Sequence, residues 1–121
     1  MVAALATDGF SAFGDESLVA PSLMWSEARS ALHELERRRE ISAEDAAAAR
    51  DRLETCPVEQ RTHALLGEET WQLADLFGWA KTYDAEYVAL AQLLGCRLVT
   101  VDARLRRATE RLGFVVSPSE L

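Results

Sequence analysis

The sequence predicts an α/β protein built on a mostly parallel sheet. Helical patterns alternate along the chain with short strands that are apolar throughout, which is typical of strands covered by helices on both faces. The 121 residues, 49% of them hydrophobic, suit one compact domain over residues 1–121. No apolar run approaches the roughly 20 residues of a membrane span, so we expect a cytoplasmic protein with no membrane contact.

In the first half of the chain, a short apolar strand precedes two helices. "SLVAP" is ended by a proline, and "SLMWSEARSAL" then carries apolar residues at helical spacing. Ser42, with Asp45 three positions later, resembles a helix cap, and the alanine-rich "AEDAAAARDRLE" behind it favours a second helix. "VEQRTH" is too polar for a buried strand and predicts either an edge strand or an extended connection.

The second half has a sharper pattern of helices ended by glycines. "EETWQLADLFGWA" predicts a helix that ends at Gly78, and "DAEYVALAQLLG" predicts one that ends at Gly95. "CRLVTV" and "FVV" are strand-like, and "DARLRRATERLG" between them predicts a helix closed by Gly113. Trp25, Trp71 and Trp79 lie in apolar helical patterns and are expected to pack in the core or at an interface rather than to stack on bases. Tyr83 and Tyr87 flank Asp84 and could contact RNA, although packing is the expected role.

Three acidic residues stand at positions that suggest chemistry. Asp102 directly follows the strand "RLVTV", and Asp84 opens a helix. Both are therefore expected at the carboxyl edge of the sheet, where ligands collect in α/β proteins. The alternative is that each is a helix N-cap with no chemical role. Glu27 lies in a helical stretch expected to face the core, and a cluster of the three carboxylates would need a cation such as Mg²⁺ or Mn²⁺.

The formal net charge of −7 argues against a protein that binds nucleic acid through a broad basic face. Positive residues cluster only in "ERRRE" and in "ARLRRATER", which leaves room for a small local site. A solvated helix face is the ordinary explanation of such runs. The second run lies beside Asp102, so we assign phosphate contact to Arg104 or Arg107 as a hypothesis.

Four blocks together resemble the PIN-domain ribonucleases, most closely the VapC-type toxins of bacterial toxin–antitoxin pairs. They are "LVAPSLMWSEARSAL", "YDAEYVALAQLLG", "LVTVDARL" and the closing "GFVV". The resemblance implies a three-layer α/β/α PIN-like sandwich with a mostly parallel central sheet. It also implies a Mg²⁺- or Mn²⁺-dependent endoribonuclease site in which Glu27, Asp84 and Asp102 match acidic positions of the family. Thr100 matches a hydroxyl position beside that site.

Partners follow from the same resemblance. It implies an RNA substrate, a homodimer, and a cognate VapB-type antitoxin whose C-terminal segment brings an arginine to the carboxylates. A metal-activated water would be the nucleophile in phosphodiester hydrolysis. The RNA that is cut is not specified by any motif in the sequence.

The chain departs from the family pattern at its start. Members usually begin with a strand carrying an aspartate that binds metal, whereas "MVAALATDGF" looks like the helix after that strand, and Asp8 is better explained as a turn residue. Three explanations are open: a start at a downstream methionine, a decayed toxin, or another chain that fills the gap. The competing function is a catalytically inactive PIN-like remnant that binds an antitoxin or itself. A DNA-directed nuclease on the same site is a third possibility.

Overall fold

The structure is a computed structural model that describes residues 9–121. Most of the helix predicted over "MVAALATDGF", with Asp8 in it, lies outside the described residues. The chain divides into two compact units, Met1–Arg61 and Thr62–Leu121, and each has a buried apolar cluster of its own. The organisation of residues 1–121 as one domain stays a prediction.

The first unit holds a parallel pair of strands joined by two helices. Its described elements are a 3₁₀ helix Gly9–Phe13, β1 Leu18–Ala20, α1 Leu23–Arg37, α2 Ala43–Glu54 and β2 Val58–Gln60. Leu18 lies opposite Val58 in the pair, and the Arg61 amide donates a hydrogen bond to the Ala20 carbonyl at 2.9 Å. The first three residues of "VEQRTH" therefore form a strand, which decides between the two predicted alternatives.

Helices α1 and α2 pack through one apolar face each. Buried residues recur at spacings of three or four on both helices, as a period of 3.6 residues requires. They are Met24, Ala28 and Leu32 on α1 and Ala46, Ala49 and Leu53 on α2. The Ser42 hydroxyl accepts a hydrogen bond from the Asp45 amide at 3.0 Å, which confirms the predicted cap and fixes the start of α2. Trp25 packs against this cluster, as predicted.

The second unit also holds a parallel pair of strands. Its elements are α3 Leu66–Phe77, α4 Tyr83–Leu94, β3 Leu98–Val99, α5 Ala103–Ala108, a 3₁₀ helix Glu110–Leu112, β4 Val115–Val116 and a 3₁₀ helix Pro118–Glu120. Leu98 lies opposite Val115, and Val99 lies opposite Val116. Both strand pairs of the described chain are thus parallel, which confirms the predicted α/β class with parallel strands.

Helices α3 and α4 end at the glycines that the sequence indicated. Gly78 has φ of 69° and Gly95 has φ of 67°, in the left-handed region where a side chain would be strained. Each glycine amide donates to the carbonyl three positions before it, and the amide of the next residue donates to the carbonyl five positions before itself. These bonds satisfy carbonyls that the helix end would otherwise leave unpaired.

Two elements near Asp102 are shorter than predicted. The strand "CRLVTV" is regular only over β3, because its partner β4 offers two residues to pair with. The last helix changes to 3₁₀ geometry at Thr109, whose hydroxyl and amide both donate to the Leu105 carbonyl, at 2.8 and 3.1 Å. Within residues 9–121, no helix combines the length and apolar character needed to cross a bilayer.

The core of the second unit is formed by α3, α4 and α5. Its buried cluster consists of Leu73, Ala74, Ala85, Val88, Ala89 and Leu105. Trp79 stacks on Phe77 with ring centroids 4.8 Å apart, and both pack against this cluster, as predicted for Trp79. Trp71 is 66% exposed and Tyr83 is 54% exposed, so neither packs in the core of this unit, and packing at an interface stays a prediction. Tyr87 is half-buried.

Thr70 on α3 carries a buried hydroxyl that lacks a hydrogen-bond partner within the described chain. Thr70→Val is expected to raise the free energy of unfolding by about 1 kcal/mol, because it removes an unsatisfied polar group without changing the shape of the side chain. Urea unfolding followed by circular dichroism measures the difference. Thr109→Val is the matched control, since the Thr109 hydroxyl is bonded. Thr109→Val should lower the free energy of unfolding. Equal effects of the two substitutions would contradict the idea that the unsatisfied Thr70 hydroxyl destabilises the protein.

Candidate active site

Asp102 lies just beyond the carboxyl end of β3, as predicted, and is the N-cap of α5. Its Oδ1 accepts hydrogen bonds from the backbone amides of Arg104 at 2.9 Å and Leu105 at 3.1 Å. These bonds satisfy two amides that the start of a helix leaves without partners. The capping role that the sequence offered as an alternative is therefore real for Asp102, and it fixes the orientation of the carboxylate.

Thr100 supports the backbone of Asp102. Its Oγ1 accepts a hydrogen bond from the Asp102 amide at 3.1 Å, and its own amide donates to the Val116 carbonyl of β4 at 2.9 Å. Thr100 thus connects the end of the β3–β4 pair to Asp102, the N-cap of α5. This contact gives a structural reason for the Thr-x-Asp spacing in the sequence.

The cap uses only one oxygen of the Asp102 carboxylate. Both hydrogen bonds fall on Oδ1, and Oδ2 has no bond to any residue that the structure describes. Asp102 is also exposed. One carboxylate can therefore hold the helix start with Oδ1 and bind a cation with Oδ2, so the structural and chemical roles are compatible.

Asp84 is the second residue of α4 and is exposed. The N-cap of α4 is Thr82, whose side chain makes no capping bond, so the alternative that Asp84 is an N-cap is wrong. A carboxylate in the first turn is still favoured by the partial positive charge of the helix N-terminus. The position therefore suits a negative side chain without making Asp84 the N-cap of α4.

A shared core links the starts of α4 and α5. Ala85, next to Asp84, and Leu105, whose amide bonds to Asp102, belong to the same buried cluster. Ala85 is fully buried, and Leu105 is 8% exposed. The packing of these two apolar side chains anchors the backbone beside each acidic residue. The second unit therefore carries two exposed carboxylates on two well-packed helix starts.

Glu27 belongs to the first unit, on α1, and is exposed. The expectation that it lies on a helix surface turned toward the core is wrong. Met24, Ala28 and Leu32 form the buried face of α1, and Glu27 lies about 100° around the helix from Ala28. The described residues contain no group of three or more His, Cys, Asp or Glu side chains arranged to hold a metal ion. A site that unites Glu27 with Asp84 and Asp102 stays a prediction.

The arginines that follow Asp102 fall into two classes. Arg106 forms an ion pair with Glu120, and the Arg111 guanidinium lies over the Phe77 ring, 4.6 Å from its centroid. Arg104 and Arg107 are exposed, and their guanidinium groups have no partner among residues 9–121. Two of the four positive side chains are therefore occupied inside the molecule. The two that the sequence assigned to phosphate remain available to a ligand.

The pairing of Arg106 with Glu120 was not anticipated from the sequence. Glu120 Oε2 accepts from Arg106 Nη2 at 2.7 Å, and Oε1 accepts from Arg106 Nε and from the Ser117 amide and hydroxyl. The last 3₁₀ helix is thereby held to α5. The signal available in the sequence was the Ser-x-x-Glu spacing of "SPSE", which is typical of a capping box. It does not name the arginine 14 positions away.

This contact predicts a pH dependence of stability. The hydrogen bond from Arg106, followed by those from Ser117, lowers the pKa of the Glu120 carboxyl from 4.5 to about 2. A carboxyl whose pKa is lowered in the folded state stabilises the protein above its unfolded pKa, and this stabilisation is lost as pH falls through the folded value. Glu120→Gln should therefore destabilise at neutral pH, with a difference that shrinks between pH 4.5 and about 2. Urea unfolding of both proteins across this range measures it, and a difference independent of pH would contradict the assignment.

Comparison with known proteins places the chain in a family. The model of the PIN domain matches residues 3–111, so the chain belongs to the PIN-domain family. It is 37% identical over 107 residues to the VapC ribonuclease Mb0985 of Mycobacterium bovis and to Ribonuclease VapC9 of Mycobacterium tuberculosis. These alignments cover 86% of this chain and 81% of each relative. The resemblance inferred from the sequence blocks, and the PIN-type α/β fold that it implied, are thereby confirmed.

Proposed function

We propose that the chain is a metal-dependent endoribonuclease of VapC type, the toxin component of a type II toxin–antitoxin system. The observation that carries the proposal is the Asp102 carboxylate at the end of β3, with Oδ1 held by the helix start and Oδ2 free of such bonds. The similarity to relatives named ribonucleases supports the choice of RNA as the substrate.

The side chains of the proposed site have different tasks. Asp84 and Asp102 bind the metal from the second unit, and Glu27 contributes a third carboxylate from α1. Thr100 is a positioning residue, because its hydroxyl holds the Asp102 amide rather than the ion. The Oδ1 bonds to the start of α5 limit rotation of the Asp102 carboxylate, so Oδ2 keeps one direction while RNA binds.

The donor set fits a hard divalent cation. Carboxylate oxygens are the ligands that Mg²⁺ and Mn²⁺ prefer, and Asp102 offers an exposed oxygen that the described residues do not use. When bound, such an ion activates a water for attack and stabilises negative charge at the phosphoryl centre. The chain's own part is to hold the carboxylates in place and to bind the RNA backbone.

Arg104 and Arg107 are proposed to contact RNA phosphates. Arg107→Glu is expected to weaken binding of a single-stranded RNA at least several-fold and to lower the slope of log affinity against log salt by about 0.7, because one phosphate contact is lost. Fluorescence anisotropy of a labelled oligonucleotide, titrated at several salt concentrations, measures both. Arg50→Glu is the matched control, since Arg50 is an exposed arginine on α2. Equal effects of the two charge reversals would mean that the change in net charge, and not the loss of a contact between Arg107 and phosphate, weakens RNA binding.

The proposal includes partners. A homodimer and a VapB-type antitoxin are proposed from the resemblance to VapC-type toxins, together with a cytoplasmic location. An arginine of the antitoxin would pair with the carboxylates that otherwise bind metal, since bidentate contacts make arginine a strong ligand for carboxylate. The exposed state of Asp84 and Asp102 leaves them accessible to such a side chain.

Substrate choice is tested by offering RNA and DNA side by side. The chain is incubated with Mn²⁺ and with labelled single strands of the same sequence in RNA and in DNA. Cleavage of RNA with DNA left intact is the expected result. Preferential cleavage of DNA would replace the proposal with a DNA-directed nuclease, and cleavage of neither strand would favour a PIN-like protein without catalytic activity.

A further inference from the structure

Both residues of the second unit that are proposed to bind the metal, Asp84 and Asp102, are preceded by an exposed apolar side chain. Tyr83, directly before Asp84, is 54% exposed, and Val101, directly before Asp102, is 75% exposed. Single exposed apolar residues are ordinary on protein surfaces. Here, however, they stand next to both carboxylates proposed to hold the ion, at two separate helix starts. An apolar contact with the ligand at this site would account for both.

Packing does not explain the position of Tyr83. It is the first residue of α4, and the buried residues of that helix begin at Ala85, about 200° further around the helix. Ala85 and Val88 contribute to the core of the second unit, while Tyr83 is 54% exposed. The ring therefore belongs to the surface that carries Asp84 rather than to the core.

We propose that Tyr83 stacks on a base of single-stranded RNA next to the metal site proposed at Asp84 and Asp102. The inference rests on the proposed ribonuclease function and adds a base-binding residue to it. Proteins that bind single strands combine positive side chains along the backbone with aromatic rings on which bases stack. Arg104 and Arg107 supply exposed positive charge within two turns after Asp102, and Tyr83 supplies the ring. Every base offers a face for stacking, so the contact favours unpaired RNA without selecting one sequence.

Binding is measured on proteins that also carry Asp102→Asn, so that the RNA stays intact during the titration. Tyr83→Ala is expected to weaken the affinity for a labelled single-stranded RNA about 5- to 150-fold, the range for loss of one stacked base. Tyr83→Phe keeps the ring and should bind within about twofold of the parent. Trp71→Ala is the matched control, because Trp71 is an exposed aromatic residue on α3 with no acidic neighbour in sequence.

A second experiment identifies the base. RNAs with one abasic nucleotide, moved stepwise along the strand, are bound to the Tyr83 parent and to Tyr83→Ala. At one position the missing base should weaken binding to the parent but have little further effect on Tyr83→Ala, because both changes remove the same stack. Effects that add fully at every position would overturn the proposal.

Other outcomes would also overturn it. They are unchanged binding by Tyr83→Ala, an equal loss in Tyr83→Phe, and an equal loss in Trp71→Ala. A shift of Tyr83→Ala to a smaller particle in analytical ultracentrifugation, with unchanged RNA affinity, would assign the ring to self-association instead. Matching urea unfolding curves for the parent and Tyr83→Ala show that any loss of binding does not come from unfolding.

Failure of the stacking contact is distinguishable from failure of the proposed function. The ribonuclease function fails if the unsubstituted chain does not cut RNA with Mn²⁺ present, whatever the binding data are. The stacking contact fails if cleavage occurs but affinity does not depend on the ring at position 83. Affinity that depends on the ring, without cleavage, would keep Tyr83 as an RNA contact and remove the hydrolytic role.

Discussion

Asp84→Asn is expected to lower the rate of metal-dependent RNA cleavage at least about 100-fold, because a metal ion supplies several kcal/mol of transition-state stabilisation and each 1.36 kcal/mol is worth a factor of ten. Stability should fall by no more than about 1 kcal/mol, the usual value of a carboxylate near a helix N-terminus. The cap of α4 is Thr82 rather than Asp84, so the substitution leaves the helix start in place. Single-turnover cleavage and urea unfolding measure the two quantities on one preparation.

Substitutions at Asp102 separate its two roles. Asparagine can accept the same backbone hydrogen bonds as aspartate, so Asp102→Asn should lose cleavage and keep most of its stability. Asp102→Ala should lose cleavage and also about 1 kcal/mol of stability, because the amides of Arg104 and Leu105 lose their acceptor. Asp75→Asn, at an exposed acid on α3, is the activity control. Full cleavage by Asp84→Asn or Asp102→Asn would exclude these carboxylates from the site.

Bound Mn²⁺ is expected to stabilise the chain by about 2.7 kcal/mol when the free ion is at 100 times its dissociation constant, because the ion binds the folded state only. Urea unfolding with increasing Mn²⁺ measures the gain, with an equal ionic strength of KCl as the reference. The gain should disappear in Asp84→Asn and in Asp102→Asn and persist in Asp75→Asn. The same gain in all four proteins would mean that the ion binds elsewhere.

Local sequence signals predicted the parts of the fold that depend on neighbouring residues. Gly78 and Gly95 end their helices because the left-handed conformation there strongly favours glycine. Ser42 caps α2 by accepting a hydrogen bond from the Asp45 amide, and Asp102 lies just beyond the strand that the β-branched run before it indicated. Each of these features needs only a few consecutive residues, so the sequence contains all of the relevant information.

Features that depend on contacts between distant residues were missed or misplaced. Arg106 pairs with Glu120, 14 positions away, and no local pattern selects Arg106 over its three neighbouring arginines. Trp71 lies in an apolar helical pattern, which favoured a packed position, yet the core side of α3 is filled by other side chains. The exposure of Glu27 follows from which face of α1 meets α2. The spacing of apolar residues indicated the buried face of α1. It did not decide whether Glu27, next to that face, points toward α2 or toward solvent.

Metal-dependent hydrolysis of RNA by this chain is the central element of the proposed function. The most direct measurement is cleavage of a labelled single-stranded RNA by the 121-residue protein with Mn²⁺, with Mg²⁺ and with a chelator, beside Asp102→Asn prepared in the same way. The proposed ribonuclease function predicts cleavage with either ion, none with chelator, recovery when ion is added back, and none from Asp102→Asn. Cleavage that persists in chelator, or that Asp102→Asn retains, would contradict it.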